Sequence, residues 1–334
     1  MQKYLVEMLE CPKCHGKLDW NITEQSHDRI EVAEACCQSC SSTYPVRDGI
    51  GVFLTTDLKR NDLWEQVDNR LDQLLKQSPE IEKKLMDVPL DTLGPVDQHY
   101  RGRVHKSRGD VEAANAAYSI SKKGLYSADT IRCWDNQMDY LINEVSKSKG
   151  LIVDLASGDC ILVRRMLKDL PNSIVVTDFS PNILVKNRKW LMEQGLYDRV
   201  SLLAFDARQT PFTANSISLL TTFLGLQNIQ NPGNLLEELH RIINGKLLAV
   251  SSFYPEDDQE NGALIEEGGL AETHYRDKLL EHFHNAGWAV DVKNSCSIKT
   301  IPAPPGVVLE GARVDGLPVQ STYLEWCILS ATNA

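Results

Sequence analysis

The chain has 334 residues, with 35 lysines and arginines against 46 acidic residues, a net charge of −11, and a 42% hydrophobic share. That length holds roughly two domains, and the composition is that of a globular protein rather than a disordered one. The acidic balance disfavours a phosphate backbone as partner, since such binding rests on cationic neutralisation, so nucleic acid is an unlikely partner. No run of about 18 apolar residues is long enough to span a membrane, and the start lacks the basic-then-apolar pattern of a signal peptide. A cytoplasmic location is the expectation.

Five of the nine cysteines fall in the first 40 residues, and the other four are scattered singly. Cys11-Pro12-Lys13-Cys14 and Cys37-Gln38-Ser39-Cys40 are two C-x2-C knuckles with 22 residues between them. Each knuckle offers two thiolates from one tight turn, and zinc takes four in a tetrahedron. Cys11, Cys14, Cys37 and Cys40 are therefore the expected ligands of a structural Zn2+, in preference to a disulfide framework. Cys36 has the poorer spacing, and His15 reads as a surface residue. Such a closed site holds the fold and does no chemistry. Asp48-Gly49 marks a turn between Tyr44–Val46 and the run Ile50–Leu54. Over residues 3–54 these features, with Leu9-Glu10 before the first knuckle and Pro45-Val46-Arg47-Asp48-Gly49-Ile50 after the second, resemble the small zinc-ribbon proteins that activate tRNA, rRNA and protein methyltransferases. The resemblance implies pairing with a methyltransferase through a sheet edge and hydrophobic contact, here on the same chain.

Residues 55–125 read as a helical linker or lid. Leu63, Val67, Leu71, Leu74 and Leu75 recur at helical spacing, and Pro79 and Pro89 bracket a second helix through Met86. The polar stretch Leu93–Lys123 reads as a loop or mobile lid, ahead of a helix near Asp129–Val145.

From Gly150 the pattern alternates. Strands are expected at Leu151–Leu155, Ile174–Thr177, Val200–Phe205, Ile217–Thr222 and Leu247–Ser251. Helices are expected over Cys160–Leu170, from Pro181, over Pro232–Ile243 and near Tyr275–Ala286. Two further strands, Ala289–Val292 and Tyr323–Ser330, are joined by a Pro/Gly-rich connection that suits an antiparallel last strand. Such alternation gives a parallel α/β sheet with helices on both faces.

The first strand runs into a turn of small residues, Asp154-Leu155-Ala156-Ser157-Gly158-Asp159-Cys160, where a ligand can approach the backbone. The turn lacks the G-x-G-x-x-G of a dinucleotide site and carries an acid at the strand end. That suits a cationic, phosphate-free cofactor, S-adenosyl-L-methionine (SAM). Asp178 ends the second strand and Asp206 the third. Over residues 126–334 these positions resemble class I SAM-dependent methyltransferases. The resemblance implies a Rossmann-like seven-stranded sheet. It assigns Asp154, Ala156 and Gly158 to the methionine end, Asp178 with Phe179 to ribose, and Asp206 with Ala207 to adenine. Phe223 falls where the family contacts the adenosyl group. Ala156 and Cys160 stand where many members have glycine, and Ala156 is tolerable provided its dihedrals stay in ordinary regions.

Residues at the acceptor side should come from the ends of the fourth and fifth strands, the segment before the first, and the last connection. Tyr126, Trp134, Gln227 and Asn228 are candidate acceptor contacts, and Tyr254 and His274 are candidate catalytic groups, with the acidic run Glu256-Asp257-Asp258 nearby. His240, His282 and His284 read as structural or exposed. Three functions compete: a small-molecule methyltransferase, a methyltransferase acting on RNA or protein, and a non-catalytic scaffold. The Thr221-Thr222-Phe223-Leu224-Gly225 stretch lacks the N-P-P-Y-type signature of nitrogen-modifying members, and the retained Asp178 and Asp206 argue against a scaffold.

Overall fold

The computed structural model describes residues 1–56 and 63–333. Residues 57–62, at the start of the expected linker, lie outside the described residues. The N-terminal unit has strands β1 (Leu18–Ser26), β2 (Arg29–Cys37), β3 (Thr43–Arg47) and β4 (Ile50–Val52). Asp48 and Gly49 form the turn before β4, both with positive φ. Helices α1 (Leu63–Gln77), α2 (Pro79–Met86), α3 (Pro95–Ser107), α4 (Val111–Leu125) and α5 (Ala128–Val145) follow. The alternating part runs β5 (Ile152–Asp154), α6 (Ile161–Asp169), β6 (Ile174–Asp178), α7 (Pro181–Glu193), β7 (Val200–Ala204), β8 (Ile217–Phe223), α8 (Pro232–Ile242) and β9 (Ile243–Phe253). It ends with α9 (Gln259–Glu267), α10 (Ala271–His274), α11 (Arg276–Asn285), β10 (Trp288–Thr300) and β11 (Thr322–Asn333).

The sheet has eleven strands rather than the seven expected, in the order β1-β2-β3-β4-β7-β6-β5-β8-β9-β11-β10. The four ribbon strands join the sheet because β4 pairs in parallel with β7, an edge that would otherwise present unpaired backbone. At the far side β11 runs antiparallel to both β9 and β10. β9 begins at Ile243, earlier than expected. Asn244-Gly245 continue the strand, because Gly245 passes so close to the Ser218 backbone that no side chain fits there.

Leu93–Lys123 is two packed helices, not a loop. The polarity that hid them reflects contact through small residues. Ala114, Ala117 and Ser121 of α4 are buried, and a Cβ on Gly102 of α3 would lie 2.8 Å from the Tyr118 ring. Asp110 starts α4 by accepting the Ala113 N–H at 3.1 Å. A separate apolar core of Leu71, Leu75, Leu85, Leu93, Val104 and Leu309 joins these helices to the connection between β10 and β11. The buried Asp97 carboxylate accepts the N–H groups of Val307, Val308 and Leu309 at 2.9, 3.0 and 2.9 Å. The helices from residue 63 and the 301–321 connection thus form one helical cap. Cys133 of α5 and Cys296 of β10, 163 residues apart in sequence, are disulfide-bonded. No helix among the described residues is long and apolar enough to cross a membrane.

Candidate functional site: a zinc knuckle pair and a cofactor cleft

The ligand sulfurs of Cys11, Cys14, Cys37 and Cys40 all lie within 4.8 Å of one another. The pairs Cys11–Cys40 and Cys14–Cys37 stand 3.6 and 3.5 Å apart. A tetrahedral zinc with Zn–S near 2.3 Å requires sulfurs about 3.8 Å apart, so the cluster fits that ion. Gly16 is required at the knuckle, since a Cβ there would lie 2.7 Å from Ser39 Oγ and 2.9 Å from Cys37 Sγ. Cys36 lies outside the cluster, and His15 bonds Glu10 at 2.8 Å.

The cofactor turn follows β5. Asp154 is buried, and its Oδ1 accepts the Thr221 hydroxyl at 2.7 Å. Burial pushes its carboxyl up to about 7. A buried carboxylate of this kind is stabilised by a neighbouring cation, and SAM carries an ammonium and a sulfonium. The Asp178 carboxylate accepts the Gly158 N–H at 2.9 Å and the Ser180 N–H at 3.0 Å, tying the turn to the end of β6. Parallel register sets β5, β6 and β7 side by side, so Asp154, Asp178 and Asp206 end or follow three neighbouring strands on one rim. Phe179 is half-buried and Ala207 is buried on that rim. Asp206 is not idle. It accepts the Arg208 backbone N–H and Nε at 2.9 Å each and Nη2 at 2.6 Å. Three donors fill most of a carboxylate's roughly four acceptor sites, leaving about one for a ligand.

The turn's conformation departs from expectation. Ala156 has φ 51° and Cys160 φ 59°, alongside Gly158 at 49°. Both non-glycine residues occupy the left-handed region, at a cost of about 1–2 kcal/mol each. Cys160 is fully buried.

At the acceptor side, Tyr126 and Trp134 are brought together, with ring centroids 4.5 Å apart. Trp134 continues to Trp326 at 5.7 Å and Trp326 to Phe223 at 6.5 Å, forming an aromatic wall that ends beside the cofactor rim. Tyr254 and His274 stack at 6.0 Å, and the Tyr254 N–H donates to the His274 carbonyl at 3.0 Å. Burial lowers His274, leaving it neutral at pH 7, and burial raises Tyr254, with Asp315 adding to that rise. Gln227 and Asn228 each donate one amide N–H, to the Ser252 and Leu224 carbonyls respectively. Asp258 caps α9 through the Asn261 N–H at 3.1 Å rather than standing as free surface charge. A cleft of about 310 Å3 beside Tyr254 is lined by Glu256, Arg276, Tyr323 and Glu325.

Sequence reasoning missed Trp326 and Asp315. Tyr126 donates its hydroxyl to Asp315 at 2.7 Å, and burial raises that carboxyl. Neither carries a local signal: one lies in an apolar strand and the other in a loop without periodicity.

Residues 152–245 match the family model described as a methyltransferase domain, and residues 2–49 match that of Trm112p-like proteins. A ubiquinone/menaquinone biosynthesis C-methyltransferase from Coxiella burnetii is 28% identical over 163 residues, covering 48% of this chain and 62% of its own length. A demethylmenaquinone methyltransferase from Lactiplantibacillus plantarum is 25% identical over 134 residues, covering 40% of this chain and 56% of its own. The chain thus spans about three fifths of the curated relatives it matches. The solved YcgJ protein of Bacillus subtilis overlaps with a TM-score of 0.47 at 12% identity, over 60% of this chain and 99% of that one. The matched methyltransferase-domain model and the methyltransferase relatives support a SAM-dependent methyltransferase. In particular, this chain joins a Trm112p-like zinc-ribbon domain to a methyltransferase domain.

Proposed function

We propose that the protein is a cytosolic enzyme that transfers the methyl group of SAM to a small-molecule acceptor. We assign residues 1–54 as the zinc ribbon, 55–125 as the connecting segment and 126–334 as the catalytic domain. The observation that carries this reading is the row of Asp154, Asp178 and Asp206 along one rim of adjacent parallel strands. SAM, when bound, supplies an electrophilic methyl on a sulfonium. Asp154, with the turn of Ala156 and Gly158, holds the cationic methionine end. Asp178 and Phe179 hold ribose, while Asp206, Ala207 and Phe223 hold the adenosyl group. Tyr126 and Trp134 offer flat aromatic faces to a planar acceptor, in keeping with the quinone chemistry named for the relatives. We assign the proton-accepting role to His274, whose pKa burial lowers and whose ring stacks on Tyr254. Orientation on the line of attack supplies much of the remaining acceleration.

Calorimetric titration with SAM and S-adenosylhomocysteine tests the cofactor reading. Micromolar binding, weakened roughly 1–3 kcal/mol in Asp178→Ala, is expected. A folded protein that binds neither ligand overturns it and favours the scaffold reading. Transfer of labelled methyl to hydroquinones, amines and bulk RNA then separates the two catalytic readings. The RNA- or protein-directed alternative is favoured only by the Trm112p-like match.

A further inference from the structure

Lys106 lies on α3 of the helical cap, outside both regions that match family models. Its Nζ forms an ion pair with Asp159, in the cofactor turn between Gly158 and Cys160. The pair is the described hydrogen bond from α3 to that turn. Two further cations act on the same carboxylate: Arg103, one turn back on α3, and Arg164 on α6. Burial alone would push Asp159 up, but these three cations outweigh it and hold the carboxyl below its usual range. His99, a further turn back, is pushed down to about 4 by burial, so it brings no charge at neutral pH. Arg164 stacks on Trp190 at 4.3 Å, and its buried Nε has no acceptor among the described residues.

Lys106 is the cation in direct contact with Asp159, and Arg103 and Arg164 add to the field at that carboxylate. Asp154 also acts on Cys160 in this turn, so the charges there are of both signs, and it is the largely buried ammonium of Lys106 that is paired at the turn. Lys106 is compact, carries three rotatable donors and is only 14% exposed, so it can bridge Asp159 and another oxygen at once. Resting on the SAM reading above, we propose that Lys106 holds the carboxylate at the methionine end of SAM. The cap is thereby a structural part of the cofactor site and not merely a cover over the acceptor. The carboxylate is the anionic group of both SAM and its demethylated product, so Lys106 acts on the two alike. It tightens binding without favouring the transition state. Occupancy of this contact also couples the cap to the cofactor: a ligand with the carboxylate pins α3 to the turn, and one without it does not.

The test compares S-adenosylhomocysteine with 5′-methylthioadenosine, which has the adenosine and thioether but lacks the amino-acid end. Both are titrated calorimetrically into the intact zinc-loaded protein and into Lys106→Met. Loss of one charge-assisted contact should weaken S-adenosylhomocysteine roughly ten- to hundredfold and leave methylthioadenosine within about twofold. Lys106→Arg, which keeps the charge, should recover most of the loss. Hydrogen exchange supplies a second readout: S-adenosylhomocysteine should slow exchange across 95–107, and methylthioadenosine should not. Equal weakening of both ligands, or of neither, overturns the assignment of Lys106 while leaving the cofactor reading intact. Wild-type protein that binds neither ligand sinks that reading itself. If Lys106→Met loses its thermal transition, Lys106→Gln takes its place with the same outcomes.

Discussion

Ile50 of the zinc ribbon lies in parallel register with Leu202 of β7, followed by Gly51 opposite Leu203 and Val52 opposite Ala204. The Phe53 N–H extends this pairing to the Ala204 carbonyl at 2.7 Å. Phe53 also stacks on Tyr44, whose hydroxyl stands 3.3 Å from Cys11 Sγ. The metal knuckle is therefore linked through two rings to the edge of the catalytic sheet. Glu10 adds an ion pair to Arg241 of α8 at 2.7 Å.

Zinc loss should consequently destabilise more than the ribbon. Structural zinc binding energy is folding energy, and unfolding the ribbon uncovers β7. Cys11→Ser, or stripping with a strong chelator, should lower the thermal midpoint by about 10 °C or more, given roughly 2–4 °C per kcal/mol in a chain this large. Metal analysis with calorimetry checks this. One zinc per chain in Cys11→Ser, or an unchanged midpoint after stripping, contradicts it.

Asp154 should make cofactor binding pH-dependent. Burial raises its folded carboxyl to about 7, above the unfolded value near 4. Between those values the folded state holds a proton that the unfolded state has lost, so the stability of the ligand-free protein falls as pH rises through that window. A bound cation favours the ionised form, so SAM affinity should rise as pH passes from about 6 to 8, with proton release at the acidic end. Titrations in buffers of differing ionisation enthalpy read that release. A flat profile, shared by Asp154→Asn, would remove Asp154 from the site.

The left-handed turn predicts a pair of opposite substitutions. Ala156→Gly should stabilise the protein by about 0.5–1 kcal/mol, because relief of the strained φ exceeds the entropy added to the unfolded chain. Gly225→Ala should be destabilising, since the new Cβ would meet the Ala156 Cβ at 2.9 Å and clash with Thr222 Oγ1. Denaturant midpoints decide both. A stabilising Gly225→Ala would mean that the end of β8 does not pack on the cofactor turn.

Asp97 should anchor the 301–321 connection. Asp97→Ala leaves the amides of Val307, Val308 and Leu309 without their acceptor, at about 3 kcal/mol or more in all. Faster proteolysis within 301–321, at normal zinc content, is the expected result. Unchanged protection would show that the apolar contacts of Leu309 suffice.

Much of the site lay in local pattern. Cysteine spacing specified the knuckles because each C-x2-C is one turn, and turn geometry is local. The strand-end acids were legible because β5, β6 and β7 have clear apolar runs and turn signals at their ends. The α3–α4 pair was not legible, since its helices meet through Gly102, Ala114 and Ala117, and small residues leave a weak apolar stripe. The backbone of Ala156 was not legible for a different reason: nothing in an alanine announces its positive φ.

The sequence alone determined a zinc-binding ribbon, an alternating α/β domain and three acids at strand ends, because periodicity and short spacing encode contacts between near neighbours. Only the tertiary structure decided that the ribbon extends the catalytic sheet through Ile50 and Leu202, that Trp326 completes an aromatic wall, and that Lys106 reaches Asp159. Those pairs are separated by 152, 192 and 53 residues. No local propensity records which distant backbone edge or ring will be adjacent. That is settled by packing and by satisfying backbone hydrogen bonds across the whole chain.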